Sequence, residues 1–121
     1  VKRIIAGGRP KLDRKITRDG ADVVALECHR SLPPVLRRLR EAGYHVVGLE
    51  QTTHSVCLFH YEFHARTVLV VGHERQGLDE ATLAVLDAVV EIPVFGLPYS
   101  HNVATATAMA MYEYCRQFAR L

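Results

Sequence analysis

Along the chain, short apolar runs alternate with longer segments in which apolar residues recur at helical spacing, the pattern of an α/β protein. Residues 1–6 and 23–26 read as strands, separated by GGRPKLDRKITRDG, a basic loop rich in turn residues. Ser31 is placed to cap a helix whose first turn accepts Pro33 and Pro34, since early helical positions donate no intrahelical bond. Its apolar face holds Val35, Leu36 and Leu39, its outer side Arg37, Arg38 and Arg40, and Gly43 ends it. His45–Leu49 and Thr67–Val71 are β-branched strands, the second almost continuously apolar, as a strand buried on both faces must be. Asp79 caps a helix expected to reach about residue 86, residues 89–94 form another strand, and Asn102 caps a last helix to about residue 119. The succession predicts an α/β fold with a mostly parallel sheet flanked by helices.

The last helix, VATATAMAMYEY onward, is dense in alanine and threonine, which lets a neighbour approach closely, in a crowded core or a tight oligomer interface. Tyr112, Tyr114 and Phe118 add aromatic area on more than one of its faces.

Composition narrows the setting. At 121 residues and 49% hydrophobic, the chain suffices for one compact domain with its own core. No apolar run approaches the roughly 20 residues of a membrane span, and the first residues lack a signal peptide's apolar block, so a soluble cytoplasmic protein is expected. The three cysteines, Cys28, Cys57 and Cys115, are odd in number and far apart, which fits a reducing compartment. Charge is uneven: residues 1–40 carry 11 of the 15 basic residues and only 4 acids, so the first third of the chain suits a polyanion.

Two segments carry candidate chemistry. In VLVVGHERQGLDE a strand runs through Gly72 and Gly77 into a helix, a turn that suits a bound ligand or, equally, a plain strand-to-helix connection with glycines at positive φ. Leu78 and Asp79 stand where a phosphate-binding loop needs lysine and a hydroxyl residue, which disfavours an NTPase. Glu74 stands where a dinucleotide fingerprint needs its second glycine, and it suits an uncharged or cationic nucleoside better. In EIPVFGLPYSHN a strand end and a Gly/Pro loop deliver Ser100, His101 and Asn102 to a helix N-terminus, where ligands of parallel sheets bind and where free main-chain donors lie. Taken singly, Asn102 reads as a cap and Ser100 as a turn residue. A third spacing, Cys57, His60 and His64 with His54 or His73 as a fourth ligand, could suit zinc, but the alternation of CLFHYEFH reads as a loop or edge strand with exposed histidines, and no metal is expected.

Together these segments resemble the SpoU family of the SPOUT, or α/β-knot, methyltransferases. VVGHERQGL resembles the family's second motif, EIPVFGLPYSHNVATATAMAMYEY its third, and VVGLEQTTHSVCLFHYEF a segment of the branch nearest the tRNA guanosine-18 2′-O-methyltransferases. The resemblance spans residues 1–121. It implies a C-terminal deep trefoil knot and S-adenosyl-L-methionine bound among three loops, at Leu49, Glu50, Gly72, Gly77, Ile92, Ser100 and His101. It implies an active centre shaped by Glu74, Ser100 and Asn102, a homodimer through the last helix, and methyl transfer to a ribose 2′-hydroxyl of structured RNA, tRNA favoured over rRNA, without metal or membrane. Two departures stand out. The family's first motif, an Asn-to-Arg stretch that supplies the catalytic arginine, falls before the matched segment, so no arginine here inherits that role; a non-catalytic RNA- or cofactor-binding domain is the alternative. His101 replaces the usual leucine, which is tolerable if main chain reads the cofactor there and obstructive if the ring narrows the adenine site.

Overall fold

A computed structural model describes residues 1–7, 24–73, 76–96 and 101–120. Most of the basic loop, along with Glu74 and Ser100, lies outside the described residues. The chain divides into two compact units, Val1–Val35 and Leu36–Leu121, each described by itself.

In the first unit, β1 (Arg3–Gly7) pairs in parallel with β2 (Ala25–His29), Ile5 opposite Glu27. The second strand starts later than its apolar run predicts and continues through charged residues. Those charges are matched: Glu27 accepts from Arg3 at 3.3 Å and lies 3.2 Å from His29 Nε2, two residues along the strand and so on the same face. The His29 contact first, then Arg3, holds the Glu27 carboxyl below the usual range. Helix α1 (Leu32–Glu41) follows Ser31 directly, with both prolines in its first turn.

The end of α1 lies in the second unit and is set by Gly43 at φ 98°. Tyr44 N–H donates to Leu39 O and Gly43 N–H to Arg40 O, both at 3.0 Å, the paired bonds of a Schellman stop that satisfy the last carbonyls. The chain then enters β3 (His45–Leu49), one of the two inner strands of a four-stranded parallel sheet ordered β4-β6-β3-β5. Here β4 is Val56–Cys57, β5 Thr67–Val71 and β6 Ala88–Glu91. Val46, Val47 and Val90 are fully buried, and Val47 and Val90 form a core with Leu58 and Phe63, against which Tyr61, Leu69, Ile92 and Tyr114 pack. Each such aliphatic residue removed from water contributes about 1.5–3 kcal/mol.

Two element boundaries differ from expectation. Helix α2 (Glu80–Leu83) is a single turn, because Val85 and Leu86 N–H turn back to the carbonyls three residues earlier and Asp87 N–H is taken by Val46 O at 2.7 Å. Strand β6 stops at Glu91 rather than residue 94: Pro93, two residues on, has no N–H to continue a ladder.

Helix α3 (Val103–Phe118) is fastened by Gln117, whose amide accepts from Phe63 N–H and donates to Tyr61 O, each at 2.8 Å. Tyr114 hydroxyl donates to Ala65 O and its ring meets Phe63 edge-on at 5.8 Å. None of the helices among the described residues is long and apolar enough to cross a membrane.

Candidate functional site

Leu49 is in register with Val71 on β5 and with Val90 on β6. The residues that leave these strands, Glu50, Gly72 and Ile92, therefore emerge along one edge of the sheet. β5 and β6 flank β3 on opposite sides, so the segments leaving three adjacent parallel strands meet there, at the carboxyl ends where parallel sheets bind ligands. An open cleft of about 690 Å³ lies at this edge, lined by Gln51, Thr52, Thr53, Cys57, Glu91 and Pro93 among others.

Glycine decides the shape of the turn after β5. A side chain on Gly72 would place its Cβ 2.4 Å from Gly77 C and 2.7 Å from Leu78 N, so the main chain folds back onto a position only glycine can hold. Gly77 N–H closes the turn onto His73 O at 2.8 Å, with Gly77 itself at φ 65°. A Cβ on Gly77 would meet Glu50 Oε2 at 2.3 Å. That carboxylate is the third part of the device: Oε2 accepts Leu78 N–H at 3.0 Å, Oε1 accepts Gln51 N–H at 3.1 Å, and Glu50 N–H donates to Val90 O at 3.1 Å. One residue thus ties the ends of all three strands. With both oxygens taken by main-chain donors, Glu50 sets the geometry of the turn.

The structure brings Leu49, Glu50, Gly72, Gly77 and Ile92 to this edge. Ile92 packs its side chain against the core cluster, so what it offers a ligand is main chain. His101 turns its ring toward the end of β6, Nε2 lying 3.4 Å from Pro93 O. Asn102 is the N-cap of α3, its Oδ1 accepting Ala104 N–H at 2.9 Å and Thr105 N–H at 3.3 Å. The capping reading of Asn102 is therefore correct, and its amide N–H groups are what it has left for a substrate. Asp79 caps α2 through Thr82 N–H at 2.8 Å; its hydrogen bonds to Thr82 hold its carboxyl below the usual range.

Sequence reasoning missed the polar run just past β3. Thr52 and Ser55 form a closed turn, Ser55 hydroxyl donating to Thr52 O at 2.8 Å, beside the cleft that Gln51, Thr52 and Thr53 line. The signal was available: QTT directly follows a strand at the ligand-binding end of a parallel sheet. The zinc spacing gathers no group of three or more metal-ligating side chains among the described residues, and His64 stacks on His45 instead, at 3.8 Å.

Comparison with known proteins gives one consistent answer. A family model described as the SpoU rRNA Methylase family matches residues 8–112. A Mus musculus protein named tRNA (guanosine(18)-2′-O)-methyltransferase TARBP1 is 39% identical over 82 residues, 68% of this chain and 5% of that protein. The solved A. aeolicus TrmH/SpoU tRNA modifying enzyme superposes with a TM-score of 0.88 at 27% identity, covering 96% of this chain and 61% of that one. The SpoU methyltransferase AviRb from Streptomyces viridochromogenes, solved in complex with the cofactor AdoMet, superposes with a TM-score of 0.76 at 29% identity, over 95% of this chain and 49% of that one. The chain thus spans about half to three-fifths of these solved relatives and a small part of the mouse protein.

Proposed function

The chain belongs to the SpoU methylase family, and on that premise we propose that it transfers a methyl group from S-adenosyl-L-methionine to a ribose 2′-hydroxyl of RNA. The observation that carries this reading is the Gly72, Gly77 and Glu50 arrangement at the carboxyl ends of β3, β5 and β6. It is a main-chain cradle without a lysine or a phosphate-binding glycine fingerprint, and it suits a nucleoside whose charge is a sulfonium rather than a polyphosphate. The residues present fit the cofactor: Leu49, Glu50, Gly72, Gly77, Ile92, Ser100 and His101 would hold it. When bound, it supplies an electrophilic methyl carbon.

The chain's own part is alignment. Gly72 and Gly77 let the turn close on itself and on Glu50, and Glu50 fixes the turn against β3 and β6. Asn102, immobilised by its cap, presents its amide to the ribose, with Glu74 and Ser100 as the accompanying polar groups. Holding the 2′-hydroxyl in line supplies much of the acceleration, because a bimolecular encounter becomes a local one.

We further infer that residues 1–121 belong to one SpoU-type domain, with the family's C-terminal trefoil knot. The substrate is structured RNA, tRNA ahead of rRNA, which the names of the mouse and A. aeolicus relatives support. Met109, Met111, Tyr112 and Phe118 are exposed on α3, which supports a homodimer through that helix. Three free cysteines support a cytoplasmic setting.

Calorimetry with S-adenosylmethionine and S-adenosylhomocysteine, followed by labelled methyl transfer to tRNA and rRNA transcripts, tests the proposal. Binding of both ligands and label in tRNA is expected. A chain that binds neither ligand overturns it.

A further inference from the structure

At the opposite end of β3, about 13 Å away along the strand, the second unit has a pocket of about 600 Å³ that the methyl-transfer site does not use. Arg37 and Arg40, three residues apart on α1 and so on one face, line one wall, and His45 and His64 line another. The two imidazoles stack at 3.8 Å with their planes 16° apart. A third guanidinium stands at the rim: Arg66 lies 4.4 Å over the Tyr44 ring, and a Cβ on Gly43 would come within 3.1 Å of its Nη1, Tyr44 and Gly43 both being lining residues.

Two acids also line the pocket, Asp87 and Glu41. Asp87 is consumed by structure: Oδ2 accepts Val46 N–H at 2.8 Å, Oδ1 pairs with Arg40 Nε at 3.2 Å, and His45 Nδ1 lies 3.8 Å away. The Leu39 and Arg40 carbonyls of α1 are taken up by the Schellman bonds. Among the described residues, Arg37 and Arg66 therefore remain as cations against Glu41, with His45 and His64 beside them.

We propose that this pocket binds a backbone phosphate of the RNA substrate, held by Arg37, with Arg66 at the rim, against the stacked His45 and His64. The inference rests on the RNA-methyltransferase reading and adds a second, purely electrostatic foothold for the same substrate. Guanidinium forks match phosphate oxygens, and imidazolium adds donors where an anion compensates the charge. His45 makes the foothold sensitive to pH. His45 is held below the ordinary histidine range by burial first, then by the charges of His64 and Arg40, with Asp87 opposing. An incoming phosphate favours the protonated form, so RNA binding takes up protons and tightens on acidification.

The test is tRNA binding to the whole chain by fluorescence anisotropy across a salt titration, with cofactor calorimetry in parallel. Arg37→Gln and His64→Gln are expected to weaken tRNA binding by about 3- to 10-fold, and Arg37→Gln to lower the salt slope by about one. Glu41→Gln is expected to tighten it, and all three should bind S-adenosylmethionine like the parent. The parent should also gain affinity between about pH 8 and about pH 6 by more than His45→Gln does. If the parent binds tRNA and the variants match it in affinity and slope, the pocket is overturned while the methyltransferase reading stands. If the parent binds cofactor and no RNA, both the RNA substrate and this foothold fall.

Discussion

The two ends of the parallel sheet in the second unit are built from opposite materials. At the carboxyl end, glycines and main-chain amides are drawn around the single carboxylate of Glu50, and side chains are excluded by contacts that would close to 2.3–2.4 Å. At the amino end, arginines, histidines and acids crowd around Asp87, and nearly every contact is made by a side chain. The first end is fixed by shape, so it tolerates almost no added atom. The second is fixed by charge, so it tolerates exchange of shape but not of sign. Substitutions should therefore act differently at the two ends.

The largest effect is expected from Gly72→Val, which forces the turn off Gly77 and Leu78. A stability loss of about 3 kcal/mol in urea denaturation, with cofactor binding abolished in calorimetry, marks the shape-limited end; a variant of unchanged stability contradicts it. Next comes Glu50→Gln. The amide keeps the volume but sets an N–H2 group against a main-chain N–H, and about 2 kcal/mol is expected, with weaker cofactor affinity. If affinity is retained, the carboxylate does not organise the crevice. Asn102→Ala removes the α3 cap for about 1 kcal/mol. Methyl transfer to RNA should fall further than that loss explains, and normal transfer by the folded variant would leave Asn102 a cap alone.

The smallest effect belongs to the amino end. His45 has a depressed folded pKa, so the unfolded chain binds its proton more readily, and stability declines as pH falls below about 6.5, the unfolded value, levelling off beneath the folded one. Thermal melts of the RNA-free chain should lose a degree or so over that window, and His45→Gln should flatten the loss. A parent with no such decline would show that burial of His45 carries no linkage.

How much of this was legible in the sequence follows from how local each feature is. Strands β3 and β5 are short runs built around β-branched residues and were read to the residue, and the stop of α1 was announced by Gly43. The lengths of α2 and β6 were misjudged because each is decided elsewhere: α2 ends where Val46 claims Asp87 N–H, and β6 stops short of Pro93 although the apolar run goes on to Val94. Gly72 and Gly77 stood out as a motif, and the family resemblance added Glu50. Its link to Leu78, 28 residues away, depends on which strands neighbour β3, and no local pattern encodes strand order. The stack of His45 on His64 is hidden for the same reason, and the spacing of His64 from Cys57 suggested a metal instead. Glu74 and Ser100 rest on the resemblance.

The clasp of Gln117 on Tyr61 and Phe63 has a consequence for the order of assembly. It joins residues up to 56 positions apart, and the main-chain groups it satisfies gain these partners only once the chain has been made as far as Gln117. During synthesis the segment beyond β4 must wait, hydrated, for a helix made later. In the finished protein, the Phe63 amide should exchange with solvent only when α3 lifts away, a single proton that reports how often the last helix lets go.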